Sequence, residues 1–390
     1  MRSFIYLVII FLMFFNCGKD IDVQTAEMPP PLTDVLTLEL TFGDEKTIVK
    51  DEFLIAKPWD IAVGKNGDIL VVDEVRIKVF DKNGKEKKIL GRPGEGPGEF
   101  KWLYFINIGP TGMISAMDRG SFNLYSPDYE FLDKVNIRAN PNFTRFTSEQ
   151  FYKSASPWRV IELPNNRRVI DAWSAEIQRE APYVGSMKLL IFQNNESFTT
   201  ITEYEPKTHI VFGYSGANIP FQGSFQWGML SDNRVVYTRP KIDKINIQGM
   251  SHYTLNITAI DTTQKWEIVH PYKPVAIPDS LRQGIIERKL NPDIDKFIKN
   301  AMKDIKYYPP VQYIYTDRNY IFVFTYKKNE YNEIFVEVFD ADSQKLVSSA
   351  YFPYPKIIKD GYFYNTPFND EGFFVIAKQK IDPAVYGKLK

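Results

Sequence analysis

The feature that most constrains this chain is an internal repeat of about 45 residues, the signature of an architecture built from stacked copies of one small unit. Asp60 to Asp73 aligns without a gap with Phe105 to Asp118, so that Ile61 and Ile106, Gly64 and Gly109, Gly67 and Gly112, Ile69 and Ile114, and Asp73 and Asp118 coincide. The same offset carries Ile77-Lys78-Val79-Phe80-Asp81 onto Phe122-Asn123-Leu124-Tyr125-Ser126. Each unit reads as short apolar strands separated by Gly, Asn or Asp turns. Asp73 and Asp118 hold equivalent places in two copies, so the expected role of both is to tie down a turn.

Later copies keep the third-strand signature, an apolar pair followed by a polar turn: Val79-Phe80-Asp81, Ile191-Phe192-Gln193, Ala259-Ile260-Asp261 and Val338-Phe339-Asp340. The units number six, at 57–100, 101–140, 141–206, 207–277, 307–355 and 356–390. The last supplies three strand candidates, at Gly361 to Thr366, Gly372 to Lys378 and Ala384 to Leu389, and Val35 to Phe42 alternates as a strand ahead of the first unit. That strand completes the sixth unit and closes the ring, which leaves only short outer edges unpaired. The fold class is therefore all-β, a six-bladed β-propeller over 35–390 closed by an N-terminal strand. The 29 Phe, 23 Tyr and 6 Trp suit strands. Residues 278–306 break the β rhythm: Leu281, Ile285, Ile286, Leu290, Ile294, Phe297, Ile298, Met302 and Ile305 recur at helical spacing, interrupted at Asn291-Pro292. They predict a two-helix insertion between blades four and five, capped at Asp279 or Ser280 and at Asn291, that covers one face of the ring or serves as a lid or docking element.

The chain begins Met1-Arg2-Ser3, runs uncharged from Phe4 to Phe15, and then meets Asn16 and Cys17, the only cysteine. One basic residue and a short apolar run make a signal-peptide pattern, too short to span a bilayer. With Phe14-Phe15-Asn16-Cys17 at its end, the segment resembles a bacterial lipoprotein signal. That resemblance implies cleavage after residue 16, lipid on Cys17, a tether over 17–34 that includes Pro29-Pro30-Pro31, and residence at the bacterial cell envelope. The plainer alternative is a secretory signal with an incidental cysteine. A lone cysteine allows no internal disulfide, and no later segment has the length of a transmembrane helix.

The segment Ile89-Leu90-Gly91-Arg92-Pro93-Gly94-Glu95-Gly96-Pro97-Gly98-Glu99-Phe100 follows a strand and an Asp-Lys-Asn-Gly-Lys turn. It looks like the connection between blades of NHL-repeat proteins, and the whole chain resembles the six-bladed propeller lipoproteins of bacterial envelopes. That resemblance implies a fold and an address more than a reaction.

Formal charge is +0, from 48 basic and 48 acidic residues, which argues against a dedicated nucleic-acid binder. Three histidines, at 209, 252 and 270, have no zinc-ligand spacing. The glycines of 91–96 lack a phosphate loop's lysine, and Gly213-Tyr214-Ser215-Gly216-Ala217 lacks the second glycine of a nucleophile elbow. Two constellations remain. Trp59, Trp158 and Trp227, beside Asp60, Arg159 and Gln226, fall at or just before innermost strands, where rings can stack on a sugar or clamp a peptide; alternatively they fill the wedge between blades. Some six-bladed propellers are lactonases or lyases that hold a divalent cation on the axis. The matching candidates here are Asp60, Asn107, Glu162 and Asn365, whose oxygens suit a hard cation such as calcium, although polar groups also simply hydrate a channel. The sequence thus favours a lipid-anchored binding or scaffolding propeller for a glycan, peptide or envelope protein, with no cofactor required. A metal-dependent lactonase or lyase is the alternative.

Overall fold

The computed structural model describes residues 29–388, apart from 152–154, 178–183, 207, 213–214, 263 and 290. The signal segment and Cys17 lie outside the described residues. Strand β1 (Leu36–Phe42) precedes the first blade, which is β2 (Pro58–Val63), β3 (Ile69–Asp73), β4 (Arg76–Phe80) and β5 (Glu86–Leu90). Blade two is β6 (Ile106–Ile108), β7 (Ile114–Asp118), β8 (Ser121–Tyr125) and β9 (Phe131–Val135). Helix α1 (Pro141–Phe151) leads into blade three, β10 (Ser156–Leu163), β11 (Arg167–Ile177), β12 (Val184–Asn194) and β13 (Ser197–Tyr204). A separate hairpin, β14 (His209–Phe212) and β15 (Ser215–Asn218), precedes blade four: β16 (Gln226–Met229), β17 (Arg234–Thr238), β18 (Lys244–Ile247), β19 (Met250–Ala259) and β20 (Lys265–Pro271). Helices α2 (Asp279–Ile286) and α3 (Pro292–Asp304) separate it from blade five, β21 (Tyr313–Asp317), β22 (Tyr320–Lys328), β23 (Ile334–Asp340) and β24 (Lys345–Phe352). Blade six is β25 (Ile357–Lys359), β26 (Tyr362–Asn365) and β27 (Ile376–Ile381), with β1 as its outermost strand.

The ring therefore closes as the sequence predicts, with β1 antiparallel to β27 from Leu36 opposite Ile381 to Phe42 opposite Ile376. Three details differ. The strand expected over Ala384 to Leu389 is not formed by its described residues, 384–388, because Pro383 starts a 3-10 turn (Pro383–Tyr386) capped by the Asp382 side chain, and the blade begins instead at Ile357–Lys359. Residues 141–151 are helical, and 209–218 form a hairpin apart from blade four. The insertion is two helices with Asn291 capping the second through Asp293 N and Ile294 N, but Pro278, not Asp279 or Ser280, precedes the first.

Strand alternation explains where the core sits. Successive side chains leave opposite faces of a strand, so each blade contributes one apolar set to each neighbour. Ile61, Val63, Ile69 and Val71 of blade one pack with Phe42, Tyr364 and Ile376 of blade six, whereas Ala62, Leu70 and Val72 pack with Ile106, Ile114 and Ala116 of blade two. The other four gaps between blades are filled in the same way. Both faces of the central strands are thus buried, which is why they read as apolar runs. A seventh cluster stands apart: Ile210 and Ile219 at the β14–β15 hairpin pack against Ile294, Ile298 and Met302 of α3.

The repeated aspartates act as the sequence suggests. Asp73 accepts from the amides of Ala56 and Lys57, and Asp118 from those of Lys101 and Trp102, in each case fixing the entry to an innermost strand. A lysine neutralises each carboxylate, Lys78 at 2.7 Å from Asp73 and Lys134 at 2.7 Å from Asp118.

The antiparallel order within each blade gives the ring two unlike faces. Innermost strands start, outermost strands end, and second strands turn into third strands on one face, here called the mouth face. The opposite face, the turn face, carries the hairpins that join first to second and third to fourth strands. α1, the β14–β15 hairpin and the α2–α3 pair all lie in connections on the mouth face. β1 enters from the turn face, where Val35 O accepts from Asp382 N.

Candidate functional site

All six innermost strands line one cavity of about 420 Å³ on the ring axis, and no residue of the helical insertion reaches its wall. At its mouth-face end lie two copies of one local device. In blade one Pro58 pairs with Asp73 and Asp60 with Val72, so Trp59 is an extra, unpaired residue; in blade three Pro157 pairs with Ala172 and Arg159 with Asp171, so Trp158 is extra. Proline has no amide to give the ladder, and a bulge at such a point bends the strand and re-aims its side chains. The consequence is the same in both blades. The tryptophan is pushed out to the rim, 43% exposed for Trp59 and 39% for Trp158, and the charged residue after it lines the cavity.

The rim continues as an arc of rings. Trp59 meets Tyr104 edge-on at 5.7 Å, Trp102 stacks beside Tyr104 at 6.2 Å, and Phe105 lies 5.4 Å from Trp158. Such amphipathic rings suit a ligand with one apolar and one polar side.

Below the rim is a charged network. The Asp60 carboxylate accepts from the amides of Ile61 and Ile106, both at 3.0 Å. Burial nevertheless raises its carboxyl to about 6, an effect opposed by those amides and by Arg159 and Lys356. Arg159 donates from Nε to Asn107 Oδ1 and lies 4.5 Å over the Trp227 ring. Burial pulls its guanidinium below the ordinary value, and the negative charges of Asp171 and Asp60 partly restore it. Trp227 in turn donates from Nε1 to Asp171 Oδ2 at 2.9 Å, and burial raises the Asp171 carboxyl as well. Lys356 enters from blade six, its Nζ 3.0 Å from Trp59 O.

Five of the six candidates read from the sequence, Asp60, Trp158, Arg159, Gln226 and Trp227, therefore line one cavity, and Trp59 stands on its rim. Their environments differ: Trp227 is 6% exposed and packs between blades three and four, as the wedge alternative has it, while Trp59 and Trp158 face outward. The four cation candidates are not brought together. Asp60 and Asn107 line the cavity, but Glu162 is held by Arg168 and Asn365 sits on the second strand of its blade beside Gln379. Among the described residues no group of three or more His, Cys, Asp or Glu side chains is placed to hold a metal. Sequence reasoning missed Asp171 and Lys356. The repeated triplet Pro-Trp-charged, at 58–60 and 157–159, would have marked the rim; Lys356 lies just ahead of β25, a strand of three residues too short to show alternation.

A family model agrees with this architecture over part of the chain. Residues 48–155 match a family model described as a six-bladed beta-propeller. A search of curated proteins finds no match. Among solved structures, the chain is similar to a Bacteroides fragilis protein named for its expected export, at 14% identity over 91% of this chain and 98% of that one, with a TM-score of 0.48. It is also similar to a Xanthomonas campestris gluconolactonase, at 9% identity over 92% and 99% with a TM-score of 0.37, and to the Neurospora crassa Pan2 WD40 domain, at 7% identity over 90% and 98% with a TM-score of 0.39. No helix among the described residues is long and apolar enough to cross a membrane. The chain is a six-bladed β-propeller whose axial cavity opens through an aromatic rim.

Proposed function

We propose that this propeller is a binding module that takes a glycan at its mouth, and that a lipid on Cys17 holds it at a bacterial envelope. The observation that carries the reading is the pair of bulges: two blades use the same Pro-Trp-charged device to place a tryptophan outside and a charge inside one cavity. Backbone is re-aimed in this way where a side chain must meet something other than its own core. The anchor and the mouth are compatible. Ahead of β1, Leu32 bridges Ala350 on the outermost strand of blade five, so a tether from Cys17 would meet the ring at its outer edge, away from the axial cavity. A membrane-held propeller can then direct its mouth outward.

The test uses the chain from residue 21 onward and a panel of neutral and acidic oligosaccharides, read by tryptophan fluorescence and calorimetry. Binding by at least one of them, lost in Trp59→Ala and Trp158→Ala while the melting temperature holds, is the expected result. A panel without any binder, or binding indifferent to both substitutions, would overturn the reading. Incorporation of labelled palmitate into the full chain, abolished in Cys17→Ala, tests the anchor separately.

A further inference from the structure

We infer that the cavity wall at Arg159 seats the carboxylate of a uronic acid residue in an acidic oligosaccharide. The inference rests on the mouth being a ligand site and adds what the site selects.

Arg159 spends little of its donor capacity on the protein. Nε reaches Asn107, the guanidinium carbon lies 4.5 Å from the Trp227 ring centroid, and among the described residues it makes no ion pair and no further hydrogen bond. The Trp227 ring on one side and the Asn107 bond at Nε hold the group in place, which leaves its two terminal nitrogens as a fork of donors at the cavity wall. A desolvated cation without a partner is costly, and the partner that matches a guanidinium fork is a planar two-oxygen anion.

The nearby carboxyls do not fill that role. Both Asp60 oxygens are taken by backbone amides. Asp171 accepts at Oδ2 from Trp227 Nε1, and its Oδ1 is buried with no partner among the described residues. These groups hold Arg159 in place without neutralising it by contact. Lys356, at the same mouth, adds a second positive charge.

The rest of the mouth decides what carries the anion. Trp158 adjoins Arg159 in sequence and stands exposed on the rim, so an aromatic face and an anion seat are offered side by side. A uronic acid joins the two matching features in one sugar: an apolar C–H face on the ring, and a carboxylate one bond outside it. A peptide carboxylate comes without such a face. The arc from Trp158 through Phe105 and Tyr104 to Trp102 extends the stacking surface away from the axis, which suits a chain of sugars better than a single one.

The experiment measures binding of oligogalacturonate, oligomannuronate and a glucuronate-substituted xylooligosaccharide, each beside its methyl ester, in calcium-free buffer. A hexapeptide with a free or amidated C-terminus is the competing probe. We expect at least one uronate to bind about ten-fold or more tightly than its ester, a difference of about 1.4 kcal/mol. Arg159→Gln should bring the acid down to the level of the ester, and Arg159→Lys, which keeps charge but loses the fork, should recover only part. Should Arg159→Gln fail to fold, Lys356→Gln in the folded protein should still lower acid affinity several-fold and leave the ester unchanged. Acid and ester bound equally would overturn the carboxylate seat and leave the glycan-binding mouth standing. Binding of the free-carboxyl peptide with no oligosaccharide bound would overturn the sugar. If none of the probes bound, both readings would fall.

Discussion

The two faces of the ring are built from the same repeat and yet differ in almost everything a partner would meet. On the turn face, hairpins are tight and polar, with Asn165, Asn195, Asn233 and Arg318 held at positive φ and glycines 67, 84 and 112 in the same region. On the mouth face stand all nine exposed aromatic side chains among the described residues, from Trp59, Trp102 and Trp158 near the axis to Phe368 and Phe373 in the β26–β27 connection. Turns of minimal length leave no room for large side chains, and their residue types are dictated by backbone geometry. The connections between blades have no such limit. The mouth face has minimal turns of its own, with Glu74, Arg119 and Gly120 at positive φ, but it alone also carries the connections between blades, and function is expected where that freedom lies.

That contrast can be broken in graded ways. The largest effect should come from removing Val35 to Phe42, which crosses from one face to the other and closes the ring. Val35 and Phe42 are buried in two different gaps between blades, and losing them with their ladder should cost on the order of 5 kcal/mol. Thermal unfolding should show a cooperative loss at both faces, and a truncation that melts like the parent would refute closure by this strand.

Next come substitutions confined to the turn face. A methyl group on Gly109 would lie 1.9 Å from Glu162 O, whereas the equivalent Gly64 has 3.8 Å to its nearest neighbour. Gly109→Ala should destabilise by about 1–3 kcal/mol and Gly64→Ala by far less. Neither should alter affinity at the mouth; chemical denaturation and calorimetry on the same samples check both halves of the statement.

Trp158→Ala should do the reverse. Its side chain is largely on the rim, so the melting temperature should stay within a few degrees while affinity for a bound oligosaccharide falls by about five- to ten-fold, the equivalent of one stacking contact. A matched loss of stability and affinity would mean that the ring is a wedge between blades after all.

The smallest effect concerns pH. Folding raises the Asp60 carboxyl from the ordinary 3.8 to about 6. Between those values the native protein holds a proton that the unfolded chain has released, so this group's contribution to stability falls as pH rises through 6. Arg159, Lys356 and Tyr315 face Asp60, burial lowers the first two from their ordinary values, and burial shifts Asp171 in the same direction as Asp60. An acidic ligand should therefore bind several-fold more tightly at pH 5 than at pH 7.5, as a negative charge beside Arg159 is lost. Titrations at the two pH values check this, and in Asp60→Asn the difference should shrink.

The legibility of the molecule followed the range of its interactions. Blade one could be read strand by strand because Ile69 to Asp73 and Arg76 to Phe80 pair within a few residues of each other through a short turn. Helix α1 was hidden because it stands where a blade was due, and its apolar Phe143 and Phe146 pack on Phe198 of the next sheet rather than marking a stripe of their own. The site was half legible. Tryptophans beside polar residues drew attention to all three; the Pro-Trp-charged triplet shared by Trp59 and Trp158 is the local signal that sets them apart, whereas only packing shows that Trp227 anchors Arg159 from within.

What the sequence by itself determined is the repeat, the number of blades, the closing strand and the two-helix insertion, since each is written in the spacing of apolar residues and turn formers over tens of residues. What only the tertiary structure decided is which side chains share the axis. The cavity is lined mainly by the innermost strands, with Asp171 added from the second strand of blade three, so Asp60 and Arg159 meet across about a hundred residues of chain and Arg159 and Lys356 across about two hundred, while Glu162 is turned away to Arg168. Pairing register and bulges set that choice, because a shift of one residue sends a side chain to the other face of its strand.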